Sequence, residues 1–148
     1  GEKVQLLYSD EQFHIPENLY IIGLMNTADR SIAMIDYALR RRFAFFELKP
    51  GFDSSGFIHY QNEVDNSSFN NLIDVMKDLN STIEDDETLG EGFRIGHSFF
   101  CNLNDGEVKE KLNYIVEYEI IPLLKEYWFD EPDKVEEWSE KLRNSLKE

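Results

Sequence analysis

Cysteine is nearly absent from this 148-residue chain, where Cys101 stands alone. A lone cysteine excludes an internal disulfide and a cysteine-based zinc cluster, and it suits a reducing cytoplasm. Basic side chains are scarce too: 15 lysines and arginines face 30 aspartates and glutamates, for a net charge of -15. A surface that neutralises phosphates along DNA has the opposite sign. No apolar run reaches the ~18–20 residues that cross a bilayer, so no membrane partner is expected. The three histidines, His14, His59 and His97, stand apart and match no metal-ligand spacing. A GxxxxGKS/T loop to cradle phosphates is missing, as is an apolar strand ending in paired acids. The chain opens at Gly1 with neither methionine nor a signal-peptide pattern, which reads as a piece excised from something longer.

What is present suffices for a folded body. Hydrophobic residues make up 41% of the chain and aromatic residues 14%, too much for a disordered chain despite the charge. One ordinary domain, or two small lobes sharing a core, fits this length, and folding buries roughly 68–70% of the unfolded surface. The charge is uneven. Residues 1–49 hold 7 acids and 6 bases, residues 50–148 hold 23 and 9. The acidic second segment argues against a grip on nucleic acid and for solubility or attraction to a basic partner. The dense positive cluster, Arg40-Arg41-Arg42, lies in the first segment.

Phe13-His14-Ile15 suggests a short strand stopped by Pro16, and Leu19–Met25 reads as a strand buried on both faces of a parallel sheet. The polar turn Asn26–Ser31 follows, rich in residues that cap helices. Ile32, Ile35, Ala38 and Leu39 then share a helical face, so a helix is expected over residues 31–41, closed by cations that suit the negative end of its dipole. Phe43–Leu48 reads as a second strand, ended by Pro50-Gly51. Strand, turn, helix, strand is an α/β unit. Beyond it the period becomes helical. Phe69, Leu72, Ile73, Met76, Leu79 and Ile83 mark one amphipathic helix. Leu112, Ile115, Val116, Ile120, Leu123, Leu124 and Tyr127 mark a second, bent at Pro122, and a third starts near Pro132 with Val135, Trp138, Leu142 and Leu146 on one face.

Ligands of open parallel sheets bind beyond the carboxyl ends of the strands. Asn26 sits at such an end, where a neutral amide can orient a water or a phosphate oxygen, with Asp29 and Arg30 in the turn after it. Equally, Asn26 and Asp29 can serve only as caps of the next helix. The three arginines can be solvated cations closing a helix, or guanidiniums reaching a neighbour's phosphate. His97 lies beside Ser98, but adjacent side chains rarely form a nucleophile–base pair, so it reads as a polar loop residue. Cys101, in Phe-Phe-Cys, reads as a small buried hydrophobe.

Two segments carry a resemblance. Residues 15–31, running IPENLYIIGLMNTADRS, and Asp36–Phe43, running DYALRRRF, resemble the McrB-type GTPases of the AAA+ superfamily. Gly92–Ser98 (GFRIGHS) and Pro122–Asp130 (PLLKEYWFD) extend the likeness over nearly the whole chain. The resemblance implies an α/β plus all-α fold: residues 1–50 as the second half of an AAA+ core, and residues 51–148 as a helical lid. It places Asn26 at the sensor position beside the γ-phosphate, with Asp29 and Arg30 close by. Arg41 and Arg42 match arginines that face the next subunit's nucleotide, and Arg94 or His97 would approach the nucleotide from the lid. GTP and Mg²⁺ are the implied cofactors, with their ligands mostly outside this chain, which alone is expected to be inactive. The implied partners are further copies in a ring, a hexamer, then an McrC-type endonuclease subunit, and DNA held through a separate amino-terminal domain; the setting is cytoplasmic. A MoxR-type ATPase fragment differs only in base preference. A non-enzymatic acidic interaction module needs neither the arginine cluster nor a buried strand ending in Asn26.

Overall fold

Phe69, Leu72, Ile73, Met76, Leu79 and Ile83, read above as one face of a helix, are all fully buried and form the spine of a helical body. The computed structural model describes residues 3–9, 11–25, 40–103 and 107–147, in two units, Gly1–Met34 and Ile35–Glu148. In the first, β1 (Val4–Gln5) and β2 (Gln12–Phe13) pair antiparallel, Val4 opposite Phe13 and Gln5 opposite Gln12. The strand expected over Phe13–Ile15 therefore starts one residue earlier and ends two residues earlier.

Five α-helices of the second unit lie wholly among the described residues: α1 (Ser55–Val64), α2 (Ser67–Asp85), α3 (Val108–Ile115), α4 (Ile121–Tyr127) and α5 (Pro132–Ser145). Side-chain caps fix where the first two start. Ser54 Oγ accepts the N–H of Phe57 at 3.2 Å, and Asn66 Oδ1 accepts that of Phe69 at 2.9 Å, satisfying donors the helix cannot. Asp65 takes the left-handed conformation, φ 45°, to turn the chain between them. Pro132 occupies the first turn of α5, where a missing N–H costs nothing. The faces of α3 to α5 are buried as their spacing foretold, Leu112, Ile115, Val116, Ile120 and Leu124 on one side, Val135, Trp138, Leu142 and Leu146 on the other.

Where a bend is expected at Pro122, the helix carries a π turn. Between α3 and α4 the backbone stays right-handed helical but widens into a π turn over Val116–Ile120. Proline lacks the N–H that an α-helical bond to Tyr118 would use, and its ring crowds that carbonyl. The wider turn relieves both problems without ending the helix.

Three expectations are corrected. No strand forms over residues 19–25 or 43–48, which run without ladder partners; Ile22, Leu24 and Phe46 are each close to 90% exposed. A strand buried on both faces is stabilised by neighbours on either side, and among the described residues there are none for these segments. Cys101 is exposed, not buried: the 3₁₀ turn His97–Phe100 carries Phe100 inward and leaves the next residue facing out. Of the helix expected over residues 31–41, Arg40 is helical and Arg41 lies in the turn that follows, while residues 31–39 fall outside the described residues. Among the described residues no helix is long and apolar enough to cross a membrane.

One polar network ties the helices at their ends. Asp86, at the carboxyl end of α2, accepts from Trp128 Nε1 at 2.8 Å and from Lys134 Nζ at 2.6 Å, and from the Thr88 N–H and hydroxyl at 2.9 and 2.7 Å. Lys134 also stands 4.4 Å from the centre of the Trp128 ring. The Lys134 ammonium holds the Asp86 carboxyl far below the usual range, against the opposing effect of burial. Glu117 is lowered in the same direction by its paired hydrogen bonds, 2.6 and 2.9 Å, from Arg143 of α5. Groups with lowered pKa stabilise the fold above their unfolded pKa, here 3.8 for Asp86 and 4.5 for Glu117, and lose that contribution as pH falls through the folded value. Thermal melts should therefore be flat down to about pH 5 and decline steadily below it. Asp86→Asn at pH 7 should cost about 2–3 kcal/mol and flatten the acid limb of that profile; an unchanged limb would show that Asp86 does not carry it.

Candidate functional site

The segment between α2 and α3 is rich in glycine and carries the two lid candidates, Arg94 and His97. Its path is set at both ends. Gly90 enters with φ +80°, a conformation that disfavours any side chain, and its N–H closes the end of α2 on the Ile83 carbonyl at 3.2 Å. In the middle, the buried amide of Asn80 grips one residue twice. Its Nδ2 donates to the Ile95 carbonyl at 2.9 Å, and its Oδ1 accepts the Ile95 N–H at 2.7 Å. Ile95 itself is buried. Further on, the Leu103 N–H donates to Tyr60 Oη at 2.8 Å.

This grip decides where the neighbours of Ile95 stand. Arg94, 11% exposed, is ringed by carboxylates: Nη1 lies 3.2 Å from Glu84, and Nη2 lies 3.3 Å from Glu47 and 3.7 Å from Glu91. Its Nε donates to the Glu91 carbonyl at 3.1 Å. His97 Nδ1 accepts the N–H of Gly51 at 2.9 Å, which leaves the ring proton on Nε2. The ring meets Phe57 edge-on at 5.4 Å and Phe52 at 6.1 Å. It is thus more than the loop residue its neighbours in sequence suggest. A Cβ at position 51 would fall 2.7 Å from His97 Cε1, so the approach demands glycine.

The remaining candidates stand elsewhere. Arg40 lies over the Phe45 ring at 5.7 Å. Arg41 and Arg42 are exposed in the turn after it, and among the described residues neither has an ion pair. Asn26, Asp29 and Arg30 lie outside the described residues. Among the described residues no cluster of histidine, cysteine and carboxylate could hold a metal ion. Sequence reasoning missed Asn80, a polar residue on a helix otherwise read from its apolar face. Its position, one turn before Ile83 on the buried stripe, is the signal that was available.

Residues 71–136, from α2 through the start of α5, match the family "McrB, alpha-helical lid domain". Over those residues the helical body matches an McrB lid. The likeness reaches beyond the lid. The chain is 50% identical, across 94% of its length, to the "Type IV methyl-directed restriction enzyme EcoKMcrB subunit" of Escherichia coli K12. It spans about a third of that relative, 32% of its length.

Replacing Asn80 by alanine would strand both polar groups of Ile95 inside the lid, each costing about 1–3 kcal/mol when unsatisfied. Asn80→Ala should therefore lower stability by about 2–4 kcal/mol in urea unfolding. The Ile95 amide should also lose its protection from hydrogen exchange. A loss below about 0.5 kcal/mol would mean that water replaces the grip.

Proposed function

We propose that this chain is part of a GTP-hydrolysing AAA+ subunit of a modified-cytosine-specific restriction system. The observation that carries the reading is the match to an McrB lid, joined to 50% identity with a methyl-directed restriction subunit. Residues 1–50 contribute the later part of the α/β core and residues 51–148 the lid. Asn26, with Asp29 and Arg30 beside it, faces the γ-phosphate from the end of its strand. Arg41 and Arg42 act in trans on nucleotide held by the next subunit of a ring, a hexamer. Their exposed setting, without carboxylate partners among the described residues, supports this, since a guanidinium already paired on its own chain has less to offer a phosphate. GTP and Mg²⁺ bind through ligands mostly outside this chain. The ring drives an McrC-type endonuclease, DNA is read by a separate domain, and the setting is the cytoplasm.

The bare apolar segments favour the same reading. Residues 19–25 and 43–48 have the composition of central strands and lie exposed, which suits strands whose sheet is completed by chain outside this one.

Asn26 is tested in a subunit that carries this chain together with a phosphate-binding loop. Asn26→Ala should lower kcat with nucleotide affinity nearly unchanged. If the residue is only a cap, about 1 kcal/mol of stability is lost and turnover persists.

For the arginines, a ring of Arg41→Ala subunits should lose about 10³–10⁵ in kcat. Melting should change little, because a cation at an exposed helix end is worth only about 0.3–1 kcal/mol. Mixing these subunits with others mutated in the phosphate-binding lysine places an intact arginine beside an intact nucleotide site. Recovered GTP hydrolysis on mixing supports action in trans; mixed rings that stay silent refute it.

A further inference from the structure

Arg94 and His97 were placed near nucleotide by resemblance, but their contacts point to other work. The three carboxylates around Arg94 outnumber its single charge, so the cluster as a whole is negative and repels a phosphate. His97 has committed Nδ1 to the backbone of Gly51. Both residues reach the same short stretch from opposite sides of the Ile95 grip: Arg94 takes Glu47 and His97 takes Gly51. That stretch leads from the arginine turn at residues 40–42 into Ser54, the cap of α1.

We propose that Arg94 and His97 are positioning residues, a two-point latch that holds the Glu47–Gly51 segment against the lid. Three features make the latch specific. The Gly51 N–H is a part-buried donor with one acceptor at 2.9 Å, so an acceptor at the Nδ1 position is required there, not merely a ring. Glycine at 51 lets the imidazole approach within what a Cβ would occupy. The two latching residues are held in one piece, because Asn80 fixes the residue adjoining Arg94 to α2 by two buried hydrogen bonds. Movement of the loop over residues 91–97 therefore moves both ends of the latch, and with them the entry to α1. That this also sets where Arg41 and Arg42 stand towards a neighbour rests on the trans reading above; the latch itself does not.

Amide hydrogen exchange of this chain tests it without nucleotide. His97→Phe keeps the ring against Phe52 and Phe57 but removes the acceptor, and should speed exchange of the Gly51 amide about tenfold or more. His97→Asn, whose Oδ1 can stand where Nδ1 stood, should restore protection to within about threefold of wild type. Arg94→Gln should speed exchange over residues 47–51 in the same sense. Buried amides of α2 and α5 should keep their wild-type rates in all three. Should His97→Phe not fold, Gly51→Ala opens the same contact from the other side and should speed exchange at position 51 to the same degree. Unchanged exchange at position 51 in His97→Phe or Gly51→Ala overturns the latch. So does failure of asparagine to restore protection, or an equal loss of protection throughout α2 and α5. An Arg94→Gln chain with wild-type rates over residues 47–51 removes Arg94 from the latch and overturns it as a two-point device. Silent mixed rings would leave these rates as they are, so the two proposals fail separately.

Discussion

A single buried carboxamide organises the glycine-rich side of the lid. Asn80 gives both its donor and its acceptor to the backbone of Ile95, and in a water-poor interior neither half of that exchange has a substitute. Without it, the glycine-rich connection between α2 and α3, closed on Ile83 at one end and on Tyr60 at the other, would lose the buried backbone tie at its middle. With it, Arg94 and His97 are presented on either side of a fixed point. Their side-chain chemistry is ordinary; their placement comes from a residue that hydrogen-bonds to neither side chain.

Several cations of the lid are neutralised locally. Lys134 is absorbed by Asp86, Arg143 by Glu117, Arg94 by Glu47, Glu84 and Glu91. Acids outnumber bases more than twofold beyond residue 50, so carboxylates are in ready supply for these cations and many remain over. The arginine turn at residues 41–42 differs in kind, its cations lying exposed in a segment with nearly balanced charge.

The helical half was legible because burial on one face imposes the 3.6-residue period, and α2, α4 and α5 each display it in large aliphatic and aromatic residues. α1 escaped notice: Phe57, Tyr60 and Val64 keep the same spacing, but polar residues fill the rest and the apolar stripe is thin. Ser54 was its available signal, a serine three residues before Phe57. The strands over residues 19–25 and 43–48 were misread for the opposite reason. Their apolar composition records a need for neighbours, and a strand cannot form a ladder alone. Cys101 shows the same limit on a smaller scale, since two preceding phenylalanines said nothing of which way the turn would face. The contacts of Asn80 with Ile95, His97 with Gly51 and Arg94 with Glu47 join residues 15 to 47 positions apart. No local spacing encodes such pairs.

The π turn before Pro122 also works as a register device. A π turn holds one residue more than the α-helical course requires, so α3 and α4 keep their buried faces aligned across a stretch whose residue count does not fit a single α-helix. The alignment matters because Leu112 and Ile115 before the turn, and Ile121 and Leu124 after it, all enter one core. A chain shortened by one residue within 116–120, and freed of the proline, can close the turn into plain α-helix while both flanking faces stay where they are. Loss of a residue at that point is thereby uncoupled from the packing of the lid, since it leaves the far half of the helix facing the core.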